Sequence, residues 1–209
     1  MTEGGLAFVT DSLAAFAAAE AKLTKALSSV PDHALGHMLL GLVDICTKRA
    51  TEGVAECEHA LALDRNLADP HAFIGIAKIF IGRAEETEVH VGEALRLSPR
   101  DTMAYLWMTY VGIAKSQLGQ WEQAVAWLRR SIEANRNYPL AHFVFGAALA
   151  QVGRLEEARS AVKTGLALDP GLVMSRWRAS LAATSDNPTY LAQVEPIFQG
   201  LRMAGLSEQ

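Results

Sequence analysis

GRLEEARSAVKTGLALDP, residues 153–170, decides the fold. In isolation it has two readings: a glycine turn before an acidic helix start is either the fingerprint of a site or one copy of a structural brick. Its landmarks recur upstream, and that recurrence selects the second. The position of Gly165 is taken by Ala26, Ala60, Ala94 and Ser131, so the series runs at spacings of 34, 34, 37 and 34. Ala19, Gly53, Thr87, Ala124 and Ala158 keep the same spacings. Gly41, Gly75, Gly112 and Gly146 form a third series, and the closing positions are Pro31, Arg65, Pro99, Arg136 and Pro170. Four landmark series in one register mark a repeat array.

Each unit divides into two helical patterns joined by a short turn, as in AHFVFGAALAQ, then VGR, then LEEARSAVKTGLAL. Apolar residues fall at i, i+3, i+4 and i+7 in both halves, the helical period rather than the strand period of two. Small residues are required where the paired helices cross, because a methyl or a hydrogen lets ridges enter grooves. Larger side chains at Ala94, Ala124 or Ala158 would overpack the crossing, at about 1–3 kcal/mol each. Gly82, Gly119 and Gly153 fall in the turns, where a left-handed backbone ends the first helix.

A unit of 34 residues with Gly at its eighth position, small residues at its twentieth and twenty-seventh, and often Pro at its thirty-second resembles the tetratricopeptide repeat (TPR). The resemblance implies an all-α fold: a right-handed superhelical array of helix-turn-helix units closed by a C-terminal capping helix pair. The units are 1–33, with a degenerate first half, then 34–67, 68–101, 102–138 and 139–172, with capping helices in 173–209. The three extra residues of the third full unit lie between Pro99 and Gly112, which predicts a first helix almost one turn longer. In the tail, GLVMSRWRASLAA reads as a first-type helix and TYLAQVEPIFQGLRMAGL as a final helix with Pro196 inside its pattern. An end unit must cover its neighbour's apolar face, so this segment is expected to cap the array. The degenerate start suggests a chain excised from, or naturally following, a larger protein.

Half of the 209 residues are apolar, enough for a substantial core. A formal charge of −4 and a pI near 5.9 argue against non-specific nucleic-acid binding, which needs an excess of Lys and Arg to neutralise phosphates. Two cysteines, Cys46 and Cys57, make no disulfide scaffold and fit a reducing, cytoplasmic setting. The alanine-rich start lacks the basic region and compact apolar run of a signal peptide. The most apolar stretches stop short of the about 20 residues that span a bilayer, so no membrane partner is expected.

The sequence carries no G-x-x-x-x-G-K-[ST], H-E-x-x-H or G-x-S-x-G pattern, so neither an enzyme nor a cofactor is expected. His33 and His37, four apart, share a helical face, but no third ligand of matching spacing accompanies them, and they read as surface or packing residues. The two cysteines read as small packing hydrophobes. Glu85, Glu86 and Glu88 read as an acidic helix start favoured by the macrodipole. Trp121 and Trp127 read as packing residues.

In the TPR family the first helices line the concave groove, which directs attention to their inner positions here. These include Met38 and Leu42 in one unit, Phe73, Ile76 and Phe80 in the next, then Tyr110 and Ile113, then Phe143 and Ala147. The groove they describe is apolar. Family members that clamp a chaperone's C-terminal carboxylate use Lys, Asn and Arg at such places, and none stands there in this sequence. The expected partner is therefore a protein or peptide with an apolar or amphipathic segment, a second copy of the chain as a homodimer, or the chain's own tail. The expected function is a non-catalytic protein-interaction module. LALDPGLVMSRWRA followed by VEPIFQGLRMAGL resembles the C-terminal TPR region of bacterial signalling proteins that carry a class III nucleotide cyclase or a winged-helix domain, implying the regulatory half of such a protein. The alternative is a helical-scaffold enzyme or small-ligand sensor.

Overall fold

The computed structural model describes residues 11–208. The regular elements among them are helical: α1 (Asp11–Ser29), α2 (Ala34–Cys46), α3 (Ala50–Leu63), α4 (Ala68–Phe80), α5 (Thr87–Leu97), α6 (Ala104–Gln117), α7 (Trp121–Ala134), α8 (Pro139–Gln151), α9 (Leu155–Leu168), α10 (Met174–Thr184) and α11 (Pro188–Met203). A short 3-10 turn, Ala84–Glu86, leads into α5. The closest pairs are α2 with α3, α4 with α5, α6 with α7, and α8 with α9, and α3, α5 and α7 each also meet the following first helix.

The landmark residues lie where the paired backbones approach each other. A methyl built on Gly53 would come within 2.6 Å of the Gly41 carbonyl oxygen, and one on Gly146 within 2.8 Å of Val162 Cγ2. Ala60, Ala94, Ala124 and Ala158 are completely buried. Where the small residue is polar, the neighbouring helix satisfies it. Thr87 donates to the Gly75 carbonyl at 2.9 Å, and Ser131 to the Tyr105 carbonyl at 2.7 Å. The same landmark at Ala26 is exposed, because α1 packs on α2 with no first-type helix beside it among the described residues. The set of turns is completed by an unexpected residue: Gly82, Gly119 and Gly153 have φ of 77°, 70° and 81°, and Lys48 takes the same place with φ 64°.

Two further recurrences hold the units together. His37 Nε2 donates to the Pro31 carbonyl at 2.7 Å, and His142 Nε2 to the Arg136 carbonyl at 2.9 Å. Each ties a first helix to the preceding closing position through its backbone carbonyl, which Arg136 supplies as well as proline does. Buried lysines reach sideways to the acidic stretch: Lys78 meets Glu86 at 3.1 Å and Lys115 meets Glu88 at 2.6 Å. Glu86 also accepts from Arg83, and Glu88 from the Trp127 indole at 3.1 Å. The acidic residues thus do more than favour a helix start; they give two buried ammonium groups their counter-charges.

The extra residues of the third full unit divide between helix and connection. Helix α6 has 14 residues against 13 in α2, α4 and α8, and the rest lengthen the stretch before it, where the Ser98 hydroxyl and the Met103 N–H donate to the Asp101 carboxylate. An Asx turn absorbs the insertion, so the helix is not lengthened by most of a turn as expected.

Candidate functional site: the face of the first helices

Helices α4, α6 and α8 present one face to the tail, and α11 lies on it. Its neighbours are α8 and α6, and the loop before it joins the end of α4. Ser185 donates to the Phe80 carbonyl at 2.8 Å and Asn187 to the Ile81 carbonyl at 3.2 Å, capturing carbonyls that the end of α4 leaves without helical partners. Asn187 also caps α11, its side-chain oxygen accepting from the N–H groups of Thr189 and Tyr190. One residue therefore ends one helix and begins another.

From there α11 buries one stripe: Tyr190, Val194, Ile197, Phe198 and Leu201. This is the i, i+4, i+7, i+8 and i+11 pattern of an amphipathic helix. Tyr190 meets Phe80 edge-on at 5.5 Å between ring centres, and Phe80 meets Tyr110 at 6.5 Å. Gly200 sits against the backbone of α8, where a methyl would come within 2.5 Å of the Ala147 carbonyl oxygen. Pro196 leaves its helix one donor short, while its carbonyl accepts from Gln151 Nε2 at 2.7 Å. Trp177 of α10 joins the packing, 5.5 Å from Phe198 and 6.4 Å from Phe143.

The outer side of this tail is ionic. Arg178 stacks over Phe198 at 4.0 Å and pairs with Glu195 at 2.6 Å, while Arg202 bridges Glu195 and Glu208 at 2.8 and 2.7 Å. The Arg178 hydrogen bond, against a smaller opposing effect of burial, holds the Glu195 carboxyl below the usual glutamate range.

The nine inner positions named from sequence fall into distinct environments. Phe80 and Ala147 are buried against the tail, and Phe143 is completely buried between Gly165 and Trp177. Ile76 and Met38 are buried as well, whereas Leu42, Phe73, Tyr110 and Ile113 are half-buried. Two apolar residues on α2 stand out in solvent: Leu35 at 48% and Leu39 at 43% exposure. The face is thus covered by α11 towards α8 and open towards α2. Where the tail meets the α2–α3 turn, a cavity of about 310 Å³ remains, lined by Lys48, Thr51, Ile81, Thr184 and Asp186 among others.

Away from this face, the cysteines are inert. Burial pushes the Cys46 thiol up to about 11 and the Cys57 thiol up to about 12, so both stay protonated at neutral pH. The histidine pair considered from sequence separates: His33 Nδ1 accepts from the Gly36 N–H as an N-cap, while His37 turns toward α3. There it meets Glu56 at 2.6 Å through Nδ1 and His59 at 3.9 Å between ring centres. Burial lowers the His37 pKa, but the Glu56 and Pro31 hydrogen bonds outweigh it and the net shift is upward. Sequence reading missed this group because its members lie 19 and 22 positions apart. The available signal was Glu56-x-x-His59, a spacing that puts both side chains on one helical face.

No protein-family model matches the chain. The human protein O-mannosyl-transferase TMTC2 is 28% identical over 117 residues, covering 51% of this chain and 14% of that protein's length. Among solved structures, PilW, a type IV pilus biogenesis factor, is similar with a TM-score of 0.69 at 21% identity, over 90% of this chain and 89% of its own. PilF of Pseudomonas aeruginosa gives 0.69 at 20%, over 92% and 89%. YrrB, a TPR protein with an unusual peptide-binding site, gives 0.58 at 22%, over 87% and 95%. With its recurrent glycine crossings, left-handed turns and paired helices, the chain has the fold of a TPR-type helical array.

Proposed function

We propose that this chain is a non-catalytic interaction scaffold that receives an amphipathic helix of a partner on the open part of its first-helix face. The observation that carries the reading is α11 itself. An amphipathic helix with a Tyr-Val-Ile-Phe-Leu stripe is seated on α6 and α8, so the chemistry of that face suits such a ligand. The uncovered continuation toward α2 is apolar too, with Leu35, Leu39, Leu42 and Phe73 available and no lysine or arginine among them. Large aliphatic side chains exposed one helical turn apart, Leu35 and Leu39, point to a contact surface. The tail's likeness to regulatory TPR regions fits a signalling role, in which partner capture is passed to an attached output domain.

The test uses the positions that are accessible. Leu35→Glu with Leu39→Glu, both exposed on α2 and checked by circular dichroism for retained helicity, is expected to abolish capture of partners from the source cell. Capture by the unaltered chain should hardly change with added salt, since apolar burial is not screened. Undiminished capture by the double variant would overturn the assignment. The Phe143 position is unsuitable for this purpose, because a carboxylate there would be buried in the core and unfold the last unit.

A further inference from the structure

We infer that His37, Glu56 and His59 form a binding site for a single Zn²⁺ ion that staples α2 to α3. One ligand atom from each residue, a ring nitrogen or a carboxylate oxygen, lies within 4.8 Å of the other two. Two ligands of a tetrahedral zinc stand about 3.3 Å apart, given metal–ligand distances of about 2.0–2.1 Å. His59 is exposed and already lies beside His37, with 3.9 Å between ring centres, whereas the His37 ring is held from both of its nitrogens.

The fixing of His37 is the second observation. Its Nε2–H is donated to the Pro31 carbonyl, which leaves Nδ1 as the nitrogen turned toward Glu56 and His59. Metal-bound histidines characteristically donate their other ring nitrogen to a carbonyl or carboxylate, which sets the tautomer and aims the ligand. Glu56 and His59 in turn show the Glu-x-x-His spacing with which a helix offers two ligands to one ion. A zinc ion entering here takes the place of the proton between His37 Nδ1 and Glu56, which passes to solvent. Two imidazoles and one carboxylate form a donor set that zinc favours and that magnesium and calcium, which prefer all-oxygen shells, do not. With three protein ligands, the fourth position belongs to water. The partial exposure of Glu56 and His59 opens the site to solvent.

Titration of the full chain with ZnCl₂ by calorimetry, and with Co²⁺ by visible absorption, tests the assignment. The expected result is one ion per chain, a tetrahedral Co²⁺ spectrum and a raised melting temperature. His59→Ala alters an exposed side chain and leaves the fold intact; with Glu56→Gln, each should weaken binding by at least about tenfold, since even supporting partners contribute that much. His33→Ala should bind as the unaltered chain does. Absence of stoichiometric binding, or affinity unchanged in both His59→Ala and Glu56→Gln, would overturn the site.

Discussion

The Ser185 hydroxyl donates a hydrogen bond to the carbonyl of Phe80, 105 positions earlier, at 2.8 Å. That bond and its companion from Asn187 fix where the tail enters the first-helix face, and everything that α11 covers follows from it. Ser185→Ala removes the donor from a buried carbonyl and should destabilise the chain by about 1–3 kcal/mol. Chemical denaturation checks the magnitude. Loosening of the tail should also appear as faster hydrogen exchange in α11 than in α9.

The ionic clamp over α11 should weaken in acid. Glu195 is held below its ordinary pKa mainly by Arg178, so its contribution is fully present above the unfolded-state value and is lost as pH falls through the depressed folded value. Because the pair is partly exposed, added salt should weaken it too. Trp177, packed against Phe198, reports the change by fluorescence. An identical acid response in Glu195→Gln would show that another group is responsible.

Lys48 occupies the turn position that three glycines fill elsewhere, with φ 64°. A left-handed backbone disfavours a residue with a Cβ by about 1–2 kcal/mol, and the greater freedom of unfolded glycine offsets part of that. Lys48→Gly should therefore stabilise the chain by about 0.5–1 kcal/mol. Gly153→Ala should do the reverse by a similar or larger amount, and thermal melts of the two variants compare them directly.

The crossings should tolerate no added bulk. A methyl on Gly146 would press on Val162 and the Ala158 carbonyl, and one on Gly200 on the backbone at Ala147. Gly146→Ala is expected to cost about 1–3 kcal/mol. Gly200→Ala is expected to lift α11 from α8 while leaving the paired helices in place. Far-ultraviolet circular dichroism alongside hydrogen exchange separates the two outcomes.

The repeat was legible because it is local. Gly41, Gly75, Gly112 and Gly146 recur at one register, and each needs only its partner helix within the same unit to explain it. The helix period, the turn glycines and the apolar inner face follow from short-range sterics and hydropathy, so the sequence by itself determined an all-helical paired array. It also determined that its inner positions are apolar. What only the tertiary structure decided is which of those positions remain open. Phe143 and Leu39 read alike in the sequence, yet one is enclosed by Gly165 and Trp177 and the other stands 43% exposed. The difference arises from long-range contacts: Pro196 and Gly200 let α11 lie close on α8, and Ser185 anchors it to α4. Similarly, His37 finds Glu56 and His59 only when α2 folds against α3. Periodicity encodes neighbours one turn or one unit away; it carries no record of where a tail returns, because that depends on shape complementarity between surfaces far apart in the chain.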